Sequence, residues 1–261
     1  MKNTTLRSIL ALMRVKFSGA AIYRASFFTA FVVDCSFFAV QLAFLSLISA
    51  GTNTAWTPEM YRVFVGSFMT LDGLYMTTWF FGVVGLPVQI RSGELDLWLV
   101  RPLSPLLYVT FSKIDIGSLP VVITGMVITF VSAAQGGFLS AENVLLWFLA
   151  LAMMYVLIYS LSLLLRCIAF WTTSTKASES TENALIDAAT KLPMPAIKGA
   201  ARWVLLFALP YGIVANFPAM CMFGTAPLAL WGWAALMTAL FTALAVFVWK
   251  RGLRRYESAS S

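Results

Sequence analysis

The chain has 261 residues, of which 60% are hydrophobic and only 11% charged, whereas a soluble domain carries about 25% charged residues. That balance excludes a soluble domain and points to a polytopic membrane protein, in which the formal charge of +7 matters through the position of its cations and implies no nucleic-acid partner. The absence of histidine excludes His-based metal sites and Ser-His or Cys-His catalysis, and Cys35, Cys167 and Cys221 lack metal-ligand spacing and read as small hydrophobes.

The first 24 residues read as an interfacial amphipathic helix. Leu6, Ile9, Leu10, Met13 and Phe17 fall on one helical face, with Arg7, Arg14, Ser8 and Ser18 opposite. No continuous apolar run with a cleavage pattern follows Met1, so a signal peptide is not expected. Six apolar runs long enough to span a bilayer come next, over about 25–50, 61–88, 107–133, 144–171, 203–223 and 228–249. Lys2, Arg7, Arg14, Lys16 and Arg24 precede the first run. Arg91, Arg101 and Lys113 lie between the second and third. Arg166, Lys176, Lys191, Lys198 and Arg202 flank the fourth-to-fifth connection, and Lys250, Arg251, Arg254 and Arg255 follow the sixth. Of the 18 Lys and Arg residues only Arg62 falls on the other side. This bias predicts both termini in the cytoplasm, a six-helix membrane domain over 25–250 and a cytoplasmic tail over 251–261.

Between the second and third runs, Gln89 to Pro105 is a short charged island. Ser92 is placed to cap a small helix over about 91–101, with Glu94 and Asp96 in its first turn, Arg101 in its last, and Pro102 as its stop. Leu95, Trp98 and Leu99 at i, i+3, i+4 form one apolar face that needs something to press against. On pattern alone an interfacial turn lying in the headgroups fits as well.

The residues Ile90-Arg91-Ser92-Gly93-Glu94-Leu95-Asp96 and Leu99-Val100-Arg101-Pro102-Leu103-Ser104 resemble the cytoplasmic loop of a bacterial ABC-2 type permease family. Phe170-Trp171-Thr172, Leu209-Pro210 and Phe217-Pro218-Ala219 add a weaker likeness, so the resemblance runs from the second span to the fifth. It implies an all-α exporter subunit in the bacterial inner membrane, with an N-terminal elbow helix and six transmembrane helices. It further implies a second permease, identical or similar, and two ATPase subunits carrying the ATP and Mg, with no cofactor in this chain. The loop is then the coupling helix, and Glu94, Leu95, Asp96, Trp98, Leu99 and Arg101 dock the ATPase, with the apolar face filling a groove on it.

Ionisable residues inside a span are functional candidates by default. Asp34 and Asp72 each lie ten residues past an arginine, Arg24 and Arg62, which puts each roughly 15 Å deep, from opposite sides. Gln41 lies two turns along the face of Asp34. The plain expectation is a protonated or hydrogen-bonded carboxylate; the sharper one is an acidic patch in a pathway for cationic amphiphiles. The polar stretch Ser178 to Ala189, with Glu179, Glu182 and Asp187, reads as a short cytosolic helix. Pro210 and Pro218 predict an interruption of the fifth span, and Pro218 to Pro227 a short plug at the outer mouth. Ala235, Ala239 and Ala243 read as packing inside the subunit. Trp56, Trp147, Trp203, Trp231, Trp233 and Trp249 read as interfacial anchors. The sequence has no Gly-x-x-x-x-Gly-Lys-Ser/Thr loop for ATP and no catalytic constellation for a membrane enzyme. A proton-coupled secondary transporter using Asp34 and Asp72 is the alternative, although no internal repeat supports it.

Overall fold

The computed structural model describes residues 24–51, 56–100, 104–172, 180, 182–186, 193, 199–208 and 210–260, and the regular structure among them is all helical. The expected N-terminal helix therefore lies outside the described residues, apart from Arg24, as does Arg101. Helix α1 covers Arg24–Gly51. Helix α2, Pro58–Tyr75, starts where Thr57 accepts a hydrogen bond from the Met60 amide and Pro58 takes the first turn. It passes through a π-helical stretch, Met76–Phe80, into α3 (Phe81–Val84) and α4 (Leu86–Ser92). After the short α5 (Asp96–Leu99) and α6 (Pro105–Phe111) come α7 (Leu119–Gln135) and α8 (Ala141–Arg166). Helices α9 (Gly199–Trp203), α10 (Tyr211–Met222) and α11 (Leu228–Ser260) complete the chain. Four helical stretches, over 58–92, 116–135, 141–170 and 228–256, are long and apolar enough to cross a membrane, and Val32–Leu47 and Tyr211–Met222 are shorter apolar helices.

Close backbone approach organises the interior. A Cβ on Gly66 of α2 would come within 2.9 Å of the Gly125 carbonyl, and one on Gly125 of α7 within 2.5 Å of the Thr70 amide. Only glycine allows α2 and α7 to meet so tightly, and Thr70 and Thr129 turn their hydroxyls back to the carbonyls of Gly66 and Gly125. Helix α10 lies wholly inside, with residues 211–219 buried against α2 and α8.

Several boundaries differ from expectation for identifiable reasons. The third span begins at Ile116 rather than near 107. Ser112 to Asp115 breaks the run, and the Asp115 carboxylate accepts from the Gly117 amide and the Ser118 hydroxyl, opening a new helix there. The fifth span is interrupted at Pro210 as its sequence predicts, whereas Pro218 sits within α10. No separate plug comes after it, since 223–227 is a turn into α11. The last helix runs on to Ser260, so most of the expected tail is helical. Trp147 is no interfacial anchor: it is buried, and its indole N–H donates to Ser67 at 2.8 Å. Trp249 is likewise buried, edge-on to Phe170. The Ala235, Ala239 and Ala243 stripe, expected inside the subunit, is exposed along α11.

Candidate functional site

Two charged sites and one exposed turn stand out. The first is a cavity of about 310 Å³ between α1 and α2, lined by both Asp34 and Asp72. Phe37, Phe68 and Phe80 form apolar walls, and Asn183 and Ile186 of the helical stretch 182–186 close one side. Tyr75, one turn after Asp72 on the same face, donates its hydroxyl to Asp72 Oδ1 and stacks on Trp79. The adjoining π-helical stretch carries Met76 and Phe80 to the cavity wall. Asp115, at the opening of the third span, lies within electrostatic reach of Asp34. No Lys or Arg lines the cavity among the described residues. Such a space, two carboxylates among aromatic rings, suits an organic cation with apolar substituents. Gln41 is buried farther along α1 and does not line it.

The second site neutralises its own charge. Arg166, in the last turn of α8, pairs with Glu182 at 2.6 Å, and the side chains are only 3% and 1% exposed. Ser162 donates to the other oxygen of Glu182. Within the stretch expected to be cytosolic, Glu182 is instead buried, while Asn183 and Ala184 beside it are exposed. A buried carboxylate is tolerable there because a guanidinium and a hydroxyl replace its water. Glu182 also lies within electrostatic reach of Tyr75, so the ion pair borders the cavity.

The turn after α4 differs from the expected coupling helix. Ser92 does not cap the next helix; it ends α4, and its hydroxyl turns back to the Gln89 carbonyl. Gly93 takes the left-handed conformation at φ 72°, which stops α4 and lets the Leu95 amide reach the Gln89 carbonyl at 3.3 Å. The helix beyond it is only Asp96–Leu99. Leu95 and Trp98 are buried within the chain, Trp98 stacked on Tyr108 of α6, with Leu99 half-buried. The apolar face thus presses on its own subunit instead of lying free to fill a partner's groove. Leu97 (61% exposed), Val100 (84%), Glu94 and Asp96 point outward. Tyr256 near the end of α11 lies beside Asp96, and α4 packs on the turn Cys167–Phe170 after α8, so the turn meets two other helices.

Tyr75 is legible in the sequence as a neighbour of Asp72 at i+3. Glu182 is not, because its partner lies 16 residues away and its surroundings are polar. No group of three or more metal-ligating side chains occurs among the described residues.

No curated protein and no solved structure matches the chain. The family described as ABC-2 family transporter protein matches residues 30–260, which takes in the acidic cavity, the buried ion pair and the turn after α4. The chain belongs to the ABC-2 transporter family.

Proposed function

We propose that the chain is the permease of an ATP-driven exporter in the bacterial inner membrane, with both termini cytoplasmic and ATP and Mg held by separate ATPase subunits. The family supports a transport subunit without its own ATPase, and the sequence has no phosphate-binding loop. Two ATPase copies and a second permease, identical or similar, complete the assembly. A six-helix subunit with an acidic cavity of only about 310 Å³ does not enclose a pathway alone.

The observation that carries this reading is the form of the 93–100 turn. It is a knob on the Arg- and Lys-rich end, anchored inward by Leu95 and Trp98 and outward-facing through Leu97 and Val100. An isolated pair of exposed apolar side chains next to Glu94 and Asp96 fits a partner's groove with a polar rim. Leu95, Trp98 and Leu99 then shape the knob, Leu97 and Val100 enter the ATPase, and Glu94, Asp96 and Arg101 serve as rim charges. Closure of the ATPase would move the knob together with α6, α4 and the end of α11, to which it is tied. The cavity of Asp34 and Asp72 would receive an amphiphilic cation, and Gln41 would lie deeper along the same helix.

The test is co-purification of the full chain with an ATPase encoded beside it. Val100→Asp should lose the ATPase while the permease keeps its expression and melting temperature. Undiminished ATPase recovery with Val100→Asp and with Leu97→Asp would remove the knob as the docking site.

A further inference from the structure

The outer surface of α11 carries a second site, independent of what drives transport. An open apolar groove of about 880 Å³ runs along α11 beside Met153 of α8, floored by Ala235, Ala239, Ala243 and the half-buried Thr238 and Thr242. At one end it reaches Phe247 and Lys250, and these two residues also line a polar hollow of about 550 Å³ with Trp171, Arg251, Arg254 and Arg255. The apolar groove and the basic hollow are therefore continuous. We propose that they form one binding site for an anionic phospholipid of the leaflet at the basic end, its acyl chain in the groove and its phosphate against Lys250, Arg251 and Arg254.

The dimensions and charges agree with this occupant. From Lys250 back to Ala235 the helix rises roughly 22 Å, enough to cover the roughly 15 Å hydrocarbon depth of one leaflet. The small side chains of Ala235, Ala239 and Ala243 leave room for a chain of methylenes, and Trp171 and Phe247 sit where a glycerol backbone meets its headgroup. Lys250, Arg251 and Arg254 are exposed and have no ion-pair partner among the described residues. Small residues also favour helix association. A second copy packed in parallel on this face would, however, bring two such cation clusters together, whereas a phosphodiester relieves the repulsion within one.

The experiment is native mass spectrometry of the delipidated full chain with equal amounts of dioleoyl-phosphatidylglycerol and dioleoyl-phosphatidylcholine. The wild type should retain phosphatidylglycerol at least about tenfold over phosphatidylcholine, since juxtamembrane cations attract anionic headgroups. The triple variant Lys250→Gln, Arg251→Gln, Arg254→Gln should bring that ratio close to one while phosphatidylcholine binding stays constant. Ala239→Trp, which fills the groove, should lower retention of both lipids. Glycerol 1-phosphate should fail to displace the bound lipid. Equal retention of the two lipids by the wild type, a preference that survives the triple variant, or displacement by glycerol 1-phosphate alone would each overturn the proposal. So would a dimer of the chain that Ala239→Trp splits into monomers, because a second copy would then own the groove.

Discussion

The chain holds ionisable side chains away from water in two adjoining places, and it treats them differently. Arg166 and Glu182 close on each other, with Ser162 completing the carboxylate's shell. Asp34 and Asp72 share a cavity whose described walls offer a tyrosine hydroxyl, an asparagine and aromatic rings but no cation. In a low-dielectric interior a paired charge can be structural, whereas a like-charged pair without a counter-ion persists only if it is protonated or awaits a positive partner. The contrast sets a structural pair beside the proposed pathway: Glu182 of the ion pair belongs to the 182–186 stretch, whose Asn183 and Ile186 line the acidic cavity.

The contrast breaks most readily at the scaffold. Glu182→Ala leaves Arg166 buried without its carboxylate and should cost about 3–5 kcal/mol, read as lost expression or a large fall in melting temperature in detergent. Replacing both partners, Arg166→Met with Glu182→Met, should recover most of that loss. Failure to recover would mean that the pair has a role beyond holding the segment.

Asp72→Asn should behave in the opposite way. The amide keeps the shape and the Tyr75 hydrogen bond, so the melting temperature should change little, while export of a cationic dye falls at least about tenfold, as expected when a desolvated charge pair of roughly 1.4 kcal/mol or more is removed. Asp34 is less buried, and Asp34→Asn should lower export several-fold less than Asp72→Asn. Normal export with normal stability in both variants would make the acids bystanders. Glu94→Ala, an exposed rim change, should leave ATPase recovery within about threefold of wild type.

The order and composition of the spans are legible in the sequence because apolar runs and cation bias are local signals. Pro210 announces its break, and Asp34 and Asp72 announce themselves as carboxylates inside apolar runs. Ser92 looks like the start of a helix only while Gly93 is overlooked as a stop; with Gly93 in the left-handed conformation, Ser92 is the end of α4. The i, i+3, i+4 face of Leu95, Trp98 and Leu99 is apolar as its spacing says, but a pattern cannot tell whether the surface it meets belongs to a partner or to Tyr108 of the same chain. The burial of Glu182 is illegible for a similar reason, since it depends on an arginine brought near only by the folded bundle. The close pairing of Gly66 with Gly125 likewise exists only once α2 and α7 are adjacent.

In the proposed mechanism a separate ATPase powers movement through this chain. Its most direct test is co-reconstitution of the full chain with the neighbouring ATPase in liposomes, following a fluorescent amphiphilic cation. Accumulation should require both proteins and ATP, be unaffected by collapse of the proton gradient, and be lost with Val100→Asp. Accumulation driven by a proton gradient in liposomes holding this chain alone would contradict it.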